Sequence, residues 1–124
     1  MITRLTGATI WSHDLQNLLP FYRDTLGLPV GIESPEFVVL GHETNGARLA
    51  LGTHSEVNGR ASDPYRHFVE LGSDNLDADF ERLSAVGVEF IERPTDYGGL
   101  RIATLKDPEG NLVQLFEPSQ STES

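Results

Sequence analysis

Asp14-Leu15-Gln16-Asn17-Leu18-Leu19-Pro20-Phe21-Tyr22-Arg23-Asp24-Thr25-Leu26-Gly27-Leu28 is the stretch on which the fold turns. Leu15, Leu18, Leu19, Tyr22 and Leu26 recur at helical spacing. Asp14 stands where a short carboxylate accepts hydrogen bonds from the free amides of a helix start, and Gly27 supplies a left-handed stop. Pro20 lacks a donor, but near a helix start that amide has no partner anyway, so the proline restricts where the first turn begins rather than destroying the helix. A strand candidate, Gly7 to Ser12, precedes this helix. Three short β-type runs follow it, Leu28 to Glu33, Phe37 to Leu40 and Ala47 to Leu51, separated by Pro, Gly, Asn or Ser.

The order then recurs. Thr53 to Asp63, with Asn58-Gly59 inside it, is polar and reads as a long connection. Phe68 to Gly72 is a strand, Asp74 or Asn75 caps a helix carrying Leu76, Phe80, Leu83 and Val86, and Gly87 stops it. Glu89 to Ile91, Leu100 to Lys106 and Leu112 to Glu117 supply three further strands. Two βαβββ units form an internal repeat. The fold class is α+β: paired βαβββ modules forming a curved mixed sheet around a cleft, because one helix per four strands cannot cover both faces. A single domain is expected over residues 1–124, with module one at about 5–52, a linker at about 53–65, module two at about 66–118 and a frayed tail at 119–124.

Composition narrows the function. Nineteen Asp and Glu against nine Lys and Arg give a formal net charge of −10, and Lys106 is the only lysine. Nucleic-acid binding, which needs a basic face that releases counterions, and a polybasic membrane patch are both disfavoured. With no cysteine there are no disulfides, thiolate metal sites or cysteine nucleophiles. Met1-Ile2-Thr3-Arg4 shows no signal-peptide pattern and no apolar run approaches the roughly 18 residues of a membrane helix, so a cytoplasmic protein is expected. The chain also lacks a Gly-x-Ser-x-Gly elbow, a phosphate-binding glycine loop and a His-Glu-x-x-His pair.

Three strings in the same order resemble the vicinal oxygen chelate superfamily. They are Asp14-Leu15 with Phe21 to Leu28; Leu76-Asp77 with Ala85-Val86-Gly87-Val88; and Asp107-Pro108-Glu109-Gly110-Asn111-Leu112-Val113-Gln114-Leu115. That superfamily includes glyoxalase I, extradiol dioxygenases, and fosfomycin- and bleomycin-resistance proteins. The resemblance implies paired modules whose curved sheets enclose a ligand cleft, commonly in a homodimer; fold alone does not supply the activity.

The resemblance also implies where a metal would sit, with one ligand, usually His or Glu, on the first and last strand of each module. Counting seven back from Asp14 gives Gly7; the last strand of that module gives Ala50; and seven beyond Asp107 gives Gln114. For the remaining position two registers compete. Counting back seven from Asn75 gives Phe68, whereas one extra residue gives His67. Side chains alternate along a strand, so if Phe68 faces the cleft then Glu70 does too, with Val69 and Leu71 on the helix. If His67 faces it, Glu70 enters the core, where an unpaired carboxylate is costly. The favoured set, Gly7, Ala50, Phe68 and Gln114, holds no divalent metal. The alternative keeps His67 and Gln114 as ligands of Zn, Ni, Fe or Mn and borrows Glu70 or His13; a strand bulge would permit it.

The same parity places Thr9, Trp11, Arg48, Phe68, Glu70, Leu112, Gln114 and Phe116 on the cleft walls, with Tyr97 and Tyr65 on nearby loops. Phe68 and Phe116 are also readable as core. Glu70 calls for a partner: Arg48, Arg101, or a cationic group on a ligand. Tyr97-Gly98-Gly99 stands where relatives carry a glycine-rich loop over the cleft, and both a lid and an ordinary turn suit it. His13, His42 and His54 lie near turns and are expected at the surface. The leading expectation is a metal-independent, small-molecule-binding protein resembling the bleomycin-resistance branch, holding an aromatic or cationic compound. The alternatives are a metal-dependent glyoxalase-like lyase or isomerase with Glu70 as base, an extradiol-type dioxygenase, for which the two-His, one-carboxylate set is lacking, and a metal-free enzyme with Glu70 as acid or base.

Overall fold

The structure, a computed structural model, describes residues 1–3, 6–41 and 47–118; His42 and the expected tail at 119–124 lie outside the described residues. The chain divides into two compact units, Met1–Gly59 and Arg60–Ser124. The first contains strands β1 (Ala8–Ser12), β2 (Val30–Ser34), β3 (Phe37–Leu40) and β4 (Leu49–Thr53), in the sheet order β1-β4-β3-β2. The second contains β5 (Phe68–Gly72), helix α1 (Leu76–Ala85), β6 (Phe90–Asp96), β7 (Leu100–Lys106) and β8 (Leu112–Pro118), in the order β5-β8-β7-β6. In each sheet the first strand runs parallel to the fourth and the remaining pairs are antiparallel. This is the α+β architecture of two βαβββ units, each a four-stranded mixed sheet.

The first helix departs from expectation. In place of one helix over residues 15–26 the chain makes a 3-10 turn, Leu15–Asn17, and then a π-helix, Pro20–Thr25. Asp14 caps the turn by accepting from the Gln16 amide, and Pro20 opens the second segment, where its missing amide costs nothing. The bond from the Leu26 amide to the Phe21 carbonyl, at 2.8 Å, spans five residues and gives the segment its wide turn. Tertiary burial holds this irregular backbone in place. Leu15, Leu18, Leu19 and Tyr22 are all buried with Val38, Leu40, Leu49 and Leu51 of the sheet.

α1 in the second unit is regular. Asn75, rather than Asp74, caps it by accepting from the Ala78 amide at 3.1 Å, and Asp77 and Asp79 in its first turn oppose the positive end of the helix dipole. Leu76 and Leu83 are buried, as are Ala103, Leu105, Val113 and Leu115 of β7 and β8. Gly87, with φ +93°, ends the helix in the left-handed region.

Several strand bounds also differ. β2 starts at Val30, after Pro29, rather than at Leu28. β4 runs on through Thr53, whose hydroxyl accepts the Leu15 amide at 3.0 Å, so this residue belongs to module one rather than the linker. β6 extends to Asp96 instead of stopping at Ile91, because it is an edge strand where Pro94 removes no needed ladder bond. Pro64–Arg66, at the end of the linker, forms a short 3-10 turn. Among the described residues no helix is long and apolar enough to cross a membrane.

Candidate ligand-binding site

Each sheet has one face on its own helical segment and one turned away, and register decides which side chains share the second. In the first sheet Thr9 pairs with Ala50 and Trp11 with Gly52, while Val39 and Phe37 of β3 lie opposite Ala50 and Gly52. These six positions therefore share the face away from the helical segment. The indole of Trp11 lies down on the sheet because position 52 has no side chain: a Cβ there would come within 2.4 Å of the ring. Phe37 stands beside it at 6.0 Å between centroids, and His54 meets it edge-on at 5.5 Å. Trp11 is nonetheless 44% exposed. Arg48, just before β4, has the same parity as Ala50 and is exposed.

In the second sheet Phe68 pairs with Leu112, Glu70 with Gln114 and Gly72 with Phe116, so Phe68, Glu70, Leu112, Gln114 and Phe116 share one face. Val69 and Leu71 pair with the buried Val113 and Leu115 on the other. His67 precedes the strand and is exposed. Tyr65 is 69% exposed and lies 6.2 Å from the Phe68 ring, centroid to centroid.

The row through Glu70 and Gln114 continues across the sheet to Thr104 on β7 and Glu92 on β6. Gln114 Nε2 donates to Thr104 Oγ1 at 3.4 Å, and Thr104 Oγ1 donates to Glu92 Oε1 at 3.4 Å, both at the long end of the hydrogen-bonding range. Tyr97 Oη donates to Glu92 Oε2. This bond raises the Tyr97 phenol above its ordinary pKa; desolvation and the charge on Glu92 act in the same direction. Tyr97 itself opens a tight hairpin. Its amide donates to the Leu100 carbonyl at 2.7 Å, and Gly98 and Gly99 take φ of +65° and +98°. Of the two forms open to this segment, the backbone is the ordinary two-residue turn, which requires positive φ at both positions.

Arg101 is not the partner of Glu70. It sits in register with Asp96 and Glu117 and reaches Asp77 of α1 at 2.9 Å, Asp96 at 3.5 Å and Glu117 at 3.8 Å. Its guanidinium pKa is raised, first by the hydrogen bond to Asp77. Among the described residues neither Glu70 nor Arg48 makes an ion pair.

The positions that the family resemblance implies as metal ligands are Gly7, Ala50, Phe68 and Gln114. Ala50 and Phe68 have no donor atom, and Gly7 stands where a Cβ would come 2.6 Å from the Arg48 carbonyl oxygen. Gln114 Nε2 donates to Thr104, which leaves its carboxamide Oε1 as the one donor atom among these four positions. Among the described residues no three His, Cys, Asp or Glu side chains are grouped to hold a metal ion.

Sequence reasoning passed over four residues: Phe37, His54, Glu92 and Thr104. Glu92 was hidden by ending its strand at Ile91. Simple alternation from Phe90, whose ring packs on Phe80 of α1 at 4.8 Å, would send Glu92 to the helix face; a β-bulge between the two turns it to the other face, in register with Thr104.

Two βαβββ modules, each a four-stranded mixed sheet with a helical segment on one face, define the class of fold. A family model for the Glyoxalase/Bleomycin resistance protein/Dioxygenase superfamily matches residues 4–115, and the chain belongs to that superfamily. It is 24% identical over 116 residues to the uncharacterized protein YraH of Bacillus subtilis (strain 168), covering 85% of this chain and 91% of YraH. The fold is similar to that of a glyoxalase/bleomycin resistance protein/dioxygenase from Nocardioides, with a TM-score of 0.72, 24% identity and coverage of 97% and 87% of the two chains. It is likewise similar to TnmS3, an antibiotic-binding protein from Streptomyces sp. CB03234, with a TM-score of 0.72, 23% identity and coverage of 95% and 98%.

Proposed function

We propose that this chain is a small-molecule-binding protein that works without a divalent metal and takes an aromatic or cationic compound on sheet faces its helical segments leave open. The donor set at the family's ligand positions carries the proposal: Gly7, Ala50 and Phe68 have nothing to coordinate with, whereas a catalytic metal wants about three protein ligands and an open position. Trp11, flat on Gly52 and still exposed, supports an aromatic ligand. Glu70, exposed and without an ion pair among the described residues, supports a cationic one, as does the net charge of −10, which steers cations inward at low salt. Antibiotic binding by TnmS3 is in keeping with the same use of the fold here. On the same proposal the protein is cytoplasmic, and a homodimer as its family resemblance implies.

Calorimetric titration with Ni²⁺, Zn²⁺, Fe²⁺ and Mn²⁺ tests the metal half. No stoichiometric binding is expected; stoichiometric binding lost on His67→Ala sinks the proposal. For the ligand half, Trp11 is the only tryptophan, so its emission reports directly on planar aromatic compounds titrated against the protein. Saturable quenching is expected, and its absence across a panel of such compounds counts against an aromatic ligand.

A further inference from the structure

The polar row on the second sheet has a direction, and the direction selects a ligand chemistry. An ionised carboxylate only accepts hydrogen bonds, whereas a threonine hydroxyl has a single proton to give. Thr104 donates its one hydrogen bond to Glu92 Oε1, so Thr104 Oγ1 is left as an acceptor toward Gln114. Gln114 must then turn its NH2 group to Thr104, as Nε2 does at 3.4 Å. The amide orientation follows from the chemistry of its neighbours rather than from which atom is labelled nitrogen. Tyr97 donates to the second oxygen of Glu92, so both carboxylate oxygens at the head of the row accept hydrogen bonds.

The consequence falls at the other end. Gln114 Oε1 makes no hydrogen bond among the described residues, and Glu70 lies beside Gln114 in register, one strand spacing of about 4.8 Å away. Two acceptors, one of them charged, stand side by side with no donor between them. We propose that Glu92, acting through Thr104, is a positioning residue that fixes the Gln114 amide and so makes the Glu70–Gln114 pair select a cationic group with several N–H donors, an amidinium, guanidinium or primary ammonium. This rests on the ligand-binding function proposed above and narrows it from an aromatic or cationic compound to one bearing such a donor group. A neutral carboxamide, which offers an acceptor as well as donors, meets this pair less well, and a carboxylate is repelled.

Benzamidine, benzamide and benzoate are near-isosteric probes that differ in this respect, and their affinities by calorimetric or NMR titration at about 0.15 M salt, where distant charges are screened, test the inference. The wild-type protein should prefer benzamidine over benzamide and show no benzoate binding. Thr104→Val removes the relay with no change of charge and little change of volume. It should lower the benzamidine-to-benzamide preference by about fivefold, the loss of roughly one hydrogen bond. Thr104→Ser, which keeps the hydroxyl, should restore the preference. Glu92→Gln lets the row run in either direction and should lower it as well. A merely structural role for Thr104 would weaken both probes together and leave their ratio unchanged, and that result overturns the inference. Should Thr104→Val fail to fold, Thr104→Ser and Glu92→Gln decide by the same ratio. If benzamide binds the wild type as well as benzamidine does, or if neither binds while planar aromatic compounds still quench Trp11, the inference falls and the proposed function stands. If none of these compounds binds, both fall.

Discussion

The two units repeat one sheet topology with opposite chemistry on it. Away from its helical segment the first sheet is aromatic and aliphatic, built from Trp11, Phe37 and Val39 around the small Ala50 and Gly52. The second carries a hydrogen-bonded polar row, Gln114, Thr104 and Glu92, with Glu70 at one end and Tyr97 at the other. Their helices differ in the reverse sense: the first unit packs an irregular 3-10 and π pair, the second a regular capped α-helix. The contrast shows that packing of an apolar stripe, not helical regularity, is what the fold requires, and that the far face is free to diverge.

If packing dominates in both units, Tyr22→Ala should be as damaging as a deletion in the regular helix. It should cost about 3–5 kcal/mol and Leu83→Ala about 2–5 kcal/mol, by chemical denaturation. A much smaller loss at Tyr22 would break the equivalence. Caps should separate the units instead. Asn75→Ala should cost about 1 kcal/mol, because it frees an amide at the head of a cooperative helix. Asp14→Ala should cost less, because its turn spans only Leu15–Asn17.

Gly52→Ala probes the aromatic face. The clash falls on the ring of the partly exposed Trp11 rather than on backbone, so the indole should lift off the sheet with a red-shifted emission. Unchanged emission would mean that Trp11 does not rest on Gly52. The smallest effect belongs to the polar face and to alkaline pH. Because the folded state raises the Tyr97 pKa above its ordinary 10.0, the stability this bond adds is complete below that pH and is lost as pH rises through the higher folded value. Tyr97→Phe, having no phenol, should show a shallower alkaline decline in denaturation midpoint over that range.

Much of this arrangement is legible in the chain. Alternation around Phe68 and Glu70 identified the face they share with Gln114, because register in a half-buried strand is dictated by which side chains the core accepts. Helix caps at Asp14 and Asn75 and stops at Gly27 and Gly87 are local chemistry and read locally. Glu92 was not legible, both because its strand was ended at Ile91 and because a β-bulge between Phe90 and Glu92, set by pairing with β7, decides which face its side chain takes; Pro94 further along is harmless because β6 lies at the sheet edge. Arg101 looked like a candidate partner for Glu70 until pairing with Asp96 and Glu117 placed it beside Asp77.

By itself, then, the sequence determined the repeat, the two apolar stripes and the parity of the unbulged strands β1, β5 and β8, since these depend on residue type and spacing along the chain. Only the tertiary structure decided that Trp11 lies down on Gly52, that the first helix winds as two irregular pieces, and that Thr104 links Gln114 to Glu92. These depend on strand pairing that brings Trp11 to Gly52 and Gln114, Thr104 and Glu92 into one row, and on the burial of the first helical segment against its sheet, and no local pattern encodes either.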